Sequence, residues 1–281
     1  ASCVGCHEPR SAAPPSAAAF DMPPVRQITP TAGPKWDGGM SFVRNVQPVL
    51  DRYCIGCHGL GKPASGGIDL TGTPSGAYNT AYESLLRGRG MVKLAVRNGE
   101  SVYSVPRDYF AAAGRLAPML LAGHPDKQGV KRVELDRDSF QRIVDWLDLN
   151  AQFYGDYSFN RIENQPPLPE GEKALRQAIA KRFGAELAAQ PYATLVNVAN
   201  IDESRILLAP LPTAAGGWGQ IASGAYKDKA DPAYAEMRRL AEASRTPLKY
   251  HDIHATCGRG DRNGCQCGNC WVREDIESRK K

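Results

Sequence analysis

The sequence predicts a mostly α-helical fold with much irregular loop. Three observations carry this. Gly and Pro are abundant, at 28 and 21 of 281 residues, which favours loops over long regular elements. Apolar residues recur at helical spacing in several short segments. Two copies of a Cys-x-x-Cys-His motif, at the start of the chain and at residues 54–58, ask for a chain organised around bound groups.

Residues 1–40 hold the first motif and then a run rich in Pro and Ala, including Pro14, Pro15, Pro23, Pro24, Pro30 and Pro34. Such composition reads as extended chain wrapping a surface. Residues 41–160 form the second section. Phe42, Val46, Val49, Leu50 and Tyr53 follow helical spacing into the second motif, and Pro48 makes that helix kink or start there. Gly66 and Gly67 turn the chain into a short strand or loop. A helix is expected over 77–87, ending before Gly88. Asp136 reads as the N-cap of a helix to about 150, with Phe140, Ile143, Val144 and Leu147 on its apolar face. Trp146 is placed either against a bound ring or in the ordinary core. Residues 161–281 form the third section. It holds a helix from Pro169 to Phe183 stopped by Gly184, a short strand over 195–198, a sharp loop at 216–219 and a helix over 232–244.

The motifs are Cys3-Val4-Gly5-Cys6-His7 and Cys54-Ile55-Gly56-Cys57-His58. This spacing is the attachment signature of haem c: two thiols bond to the haem vinyl groups, and the adjacent histidine ligates iron. A redox dithiol or half of a zinc site is the blander reading of one such motif, and two copies make it hard to sustain. Residues 41–160 then read as a cytochrome c-like haem domain, preceded by an N-terminal haem segment and followed by a Cys-rich section. Covalent haem attachment of this kind happens outside the bacterial cytoplasm, so a periplasmic or extracellular location is expected.

Three further histidines remain of five. His124, after the small residues Ala111, Ala112, Ala113 and Gly114, is the candidate distal ligand of the second haem. His251 or His254 is the candidate for the first haem, with Met22 and Met40 as alternatives. The last four cysteines, Cys257, Cys265, Cys267 and Cys270, read first as two disulfides and second as a zinc site, so the expected cofactors are two haem c and, on the second reading, one zinc.

The formal net charge is +5, and four haem propionates would bring it near neutral. No basic-aromatic interleaving points to nucleic acid, and no apolar run reaches the roughly 18–20 residues that span a bilayer.

The chain resembles the C-terminal haem-bearing part of hydrazine synthase alpha subunit-like proteins, multidomain c-type cytochromes of planctomycetes. The resemblance rests on residues 2–10, 46–54, Ala122-Gly123-His124, 145–151 with Phe153-Tyr154-Gly155, 204–211 and 216–219. It implies that His124 is the distal ligand of the second haem. Family members carry a β-propeller before the first motif, absent from this sequence, and the catalytic haem of the enzyme has a tyrosine axial ligand where this chain has His7. The expected function is dihaem electron transfer to redox partner proteins, or between copies of the chain in a polymer or larger complex. The alternative is a redox enzyme with an open site on the first haem. With the first motif two residues from the start, cover for that haem is expected from the C-terminal section or from a neighbouring molecule.

Overall fold

The computed structural model describes residues 39–59, 67–88, 90–95, 107–155 and 166–246. Residues 1–36 group as one unit and 37–281 as another, and the described residues all belong to the second. About half of them are helical, with much loop and one short antiparallel pair of strands.

The chain enters through a π-helical turn, Phe42–Val46, which passes into α1, Gln47–Tyr53. Pro48 explains the join. It has no N–H to bond the Arg44 carbonyl, and the Gln47 N–H reaches back five residues to Phe42 instead. α1 is followed by the single turn α2, Ile55–His58. Strands β1, Pro74–Ser75, and β2, Tyr78–Asn79, pair with Pro74 opposite Asn79. The helix expected from residue 77 begins later, as α3, Thr80–Arg87, because Asn79 caps it: its side chain accepts from the Tyr82 N–H at 2.9 Å. Two short helices, α4 (Phe110–Ala113) and α5 (Leu116–Leu121), precede α6, Arg137–Asp148. Asp136 caps α6 as expected, accepting from the Ser139 N–H at 2.8 Å.

These elements close on an aromatic core. Phe42, fully buried, lies 5.2 Å from both the Tyr82 and Trp146 rings and 5.8 Å from Phe153. Trp146 is fully buried here and donates to the Gln152 carbonyl, so it is a core residue. Met40, one candidate ligand for the first haem, is packed in the same core at 2% exposure.

The remaining described chain builds α7 (Pro169–Phe183), α8 (Ala185–Ala188), α9 (Tyr192–Leu195), α10 (Arg205–Leu208) and α11 (Pro232–Ser244), with 3-10 turns at Ile201–Glu203 and Thr213–Ala215. α7 ends at Gly184, φ +99°, and α11 begins at Pro232 behind its Asp231 cap. Where a strand was expected at 195–198 the chain forms α9 and then a loop, with Leu195 and Val196 buried in an apolar cluster. Leu175, Ile179, Leu207, Leu211, Tyr226 and Met237 fill a second apolar cluster. Gly217 is required in it: a Cβ would stand 2.1 Å from the Leu211 carbonyl oxygen. The two cores are tied together by Asn197, whose amide donates to the Val43 carbonyl at 2.8 Å, by Arg142 with Glu203, and by Gln220, which donates to the Arg52 carbonyl. No helix among the described residues is long and apolar enough to cross a membrane.

Candidate functional site

The second motif sits where α1 gives way to α2. Cys54 closes α1 through its N–H to the Leu50 carbonyl, and its own carbonyl accepts from the N–H groups of Cys57 and His58 at 3.1 and 2.8 Å. This tight turn carries both cysteines and the histidine on one short stretch of backbone. Leu70 then donates to the His58 carbonyl at 2.8 Å and fixes the turn against the following loop.

Cys54 is half-buried, Cys57 is exposed, and both are free thiols. Burial pushes the Cys54 thiol up to about 12, with the Asp51 carboxylate and Cys57 adding to it. A redox dithiol works through a thiolate whose pKa is lowered; Cys54 is shifted the other way.

His124 arrives from another part of the chain. α5 ends in a close turn: Ala122, Gly123 and His124 donate their N–H groups to the carbonyls of Pro118, Leu120 and Met119 at 2.8–3.0 Å. Gly123 has φ +84° and His124 has φ +47°, two successive left-handed residues. Such strain at a non-glycine residue persists only where its surroundings hold it. They do so here. The Gly123 carbonyl accepts from the N–H groups of both Arg132 and Val133, and the Lys131 stem lies over Gly123 so closely that a Cβ would come within 2.9 Å of it.

The result is that His58 and His124 come together, with ring centroids 6.1 Å apart and planes at 62°. That separation leaves room for one metal ion bonded at about 2 Å to a nitrogen of each ring. Burial, and next the neighbouring His124, lower the His58 pKa, while the Ile68 carbonyl works to raise it. The net shift favours the neutral imidazole that binds metal. His58 Nδ1 is buried and makes no well-formed hydrogen bond; the Ile68 carbonyl beside the ring is the acceptor at hand for the nitrogen that a metal leaves free.

One feature near the motif was not legible in the sequence. Asp51, three residues before Cys54, is 4% exposed. Gln47 Nε2 donates to its Oδ1 at 2.9 Å and to the Leu70 carbonyl at 3.0 Å, and Asn79 donates to Gln47 Oε1 at 3.1 Å. Burial raises the carboxyl to about 7; the Gln47 bond and the Arg205 charge oppose this. A lone Asp beside Arg52 in a helix reads as surface, and only the i, i+4 spacing of Gln47 and Asp51 marks a shared face.

Cys3, Cys6, His7, Met22, His251, His254, Cys257, Cys265, Cys267 and Cys270 lie outside the described residues. Among the described residues no group of three or more His, Cys, Asp or Glu is placed to hold a metal ion. A cleft there of about 630 Å³, walled by the Arg52–Asp136 and Arg142–Glu203 pairs, is lined by neither His58 nor His124.

No family model matches the chain, and no solved structure matches it. The chain is 30% identical over 126 residues to hydrazine synthase subunit alpha of Kuenenia stuttgartiensis. That match covers 41% of this chain and 15% of the relative, so the chain corresponds to a small part of the relative's length. The similarity relates the chain to that family over the matched part and points to a redox or haem-related role.

Proposed function

We propose that this chain is an extracytoplasmic dihaem c-type cytochrome that transfers electrons. The observation that carries the reading is that His124 comes to 6.1 Å, centroid to centroid, from His58, the histidine that closes the Cys54–Cys57 motif. Bound haem c supplies a site that stores and passes one electron. Cys54 and Cys57 would hold it through their thiols, and His58 and His124 would each offer a ring nitrogen to its iron. With two protein ligands on the iron, the chemistry left would be electron exchange. Cys3, Cys6 and His7 hold the first haem in the same way, with His251 or His254 as its distal ligand. Partners are redox proteins or further copies of the chain. The activity in the relative's name belongs to a much longer protein and is not carried over here.

The test is the haem stoichiometry. A pyridine haemochrome assay on the purified protein should give two haem c per chain, and peptide mass spectrometry should find haem on the peptides holding Cys3–Cys6 and Cys54–Cys57. A chain that matures with the cysteines of 54–57 unmodified rules the proposal out.

A further inference from the structure

Asp51 lines a cavity of about 220 Å³. Val43, Pro74, Pro166, Pro191 and Val196 supply apolar wall, and Gln47 and Asn197 are its amides. Only one carboxylate oxygen is used: Oδ1 accepts from Gln47, and no donor among the described residues reaches Oδ2. The cavity therefore holds a buried carboxyl with one open oxygen, a group able to bind a proton.

The charges around it are few. On α1 the neighbours are Gln47 and the Cys54 thiol. From α10 comes Arg205, held by Gln190 Oε1 at 2.6 Å, with its Nε buried and without a partner. From β2, Asn79 acts through Gln47. From α9, Tyr192 lines the cavity, and burial pushes its hydroxyl up to about 12, so it stays protonated. Among the described residues Arg205 is thus the charged side chain that acts on Asp51, and no ion pair closes between them.

Asp51 also stands one helical turn ahead of Cys54 on the same helix. We infer that Asp51 is a redox-linked proton site: its Oδ2 takes one proton from solvent when the haem anchored at Cys54 and Cys57 accepts one electron from a one-electron donor, and returns it on oxidation. Iron passes from ferric to ferrous, one O–H bond forms on the carboxylate, and the added negative charge is matched by the added proton. At an effective dielectric of about 20, a unit charge about 10 Å away shifts a neighbouring equilibrium roughly tenfold. Coupling of that size needs a group that titrates near the working pH, and burial places Asp51 at about 7. The inference rests on the haem reading above.

The experiment is a spectroelectrochemical titration of the holoprotein at a series of pH values, for the native chain, Asp51→Asn and Arg205→Gln. In the native chain the reduction equilibrium constant should fall as pH rises between about 6 and 8, by at most tenfold per pH unit, or ~59 mV for one electron. Asp51→Asn should abolish that component. Arg205→Gln removes the charge that favours the carboxylate and should move the window to higher pH. A potential independent of pH in the native chain, or a slope that survives in Asp51→Asn, overturns the inference. If Asp51→Asn does not fold, an unmoved window in Arg205→Gln overturns it as well. A protein without a haem c spectrum overturns the haem reading too, whereas intact haem c with a flat potential overturns this inference alone.

Discussion

A left-handed histidine is unusual, and His124 follows a left-handed glycine. Both conformations are held by hydrogen bonds from the strap at Arg132 and Val133, so the imidazole opposite His58 is presented by backbone and not by side-chain freedom. Gly123→Ala should cost about 1 kcal/mol or more, since it sets a Cβ at φ +84° against Lys131. Its signature should be local: a fraction of the second haem turning high-spin in the absorption spectrum. Asp51 makes a different prediction. Its folded pKa, about 7, lies above the usual carboxylate value of 3.8. The folded state therefore binds the extra proton, and the stability it contributes is full below about pH 4 and lost as pH rises through 7. Denaturant midpoints of the oxidised protein, compared with Asp51→Asn, should show the native chain losing up to a few kcal/mol of relative stability over that range, and no further change above it. A difference that grows instead as pH falls would contradict the assignment.

Among the elements, α6 shows how local signals position the site. Asp136 accepts from the Ser139 N–H, from Tyr53 Oη at 2.7 Å and from Arg52 at 2.7 Å. Burial works to raise its pKa, but these bonds outweigh it and the carboxyl is lowered. One residue thus caps α6 and ties it to the last two residues before Cys54. Asp136→Ala should destabilise the protein by about 1–2 kcal/mol, measured by chemical denaturation, and Asp136→Asn should recover part of this through the cap. The cap at Asp136, the start at Pro169, the stop at Gly184 and the helix over 232–244 were all legible in the sequence, because each depends on residues within one turn. The start of α3 and the turn at 192–195 were not. Asn79 caps α3 after two residues spent in a strand pair with Pro74–Ser75, and α9 is set by the burial of Leu195 in the apolar cluster beside α10, which no local signal records.

Among the described residues, the aromatic core carries the Cys54–His58 motif, and the apolar cluster of α7–α11 is tied to it through Asn197, Arg142 and Gln220. Trp146→Ala, at a site with no solvent exposure, should cost about 3–5 kcal/mol, and calorimetry should show it weakening the fold around Phe42 and Tyr82. Much of what the family resemblance marks is this scaffold: residues 145–151 and Phe153 build the aromatic core, and 216–219 include the close approach of Gly217 to Leu211. Both histidines were singled out in the sequence, His58 by its place after Cys57 and His124 by the small residues before it; what the sequence does not record is that they come together across the 66 positions that separate them. Asp51 was hidden for the same reason, since its burial comes from α9, α10 and the loop at 67–73.

The most direct measurement is a set of absorption spectra of the native chain and His124→Ala, oxidised, reduced, and reduced under carbon monoxide. With His58 and His124 as the two axial ligands, the second haem of the native chain stays low-spin and ignores the gas, and His124→Ala turns it high-spin and carbon monoxide-binding without loss of haem. A native second haem that binds carbon monoxide, or a spectrum unchanged by His124→Ala, contradicts the account.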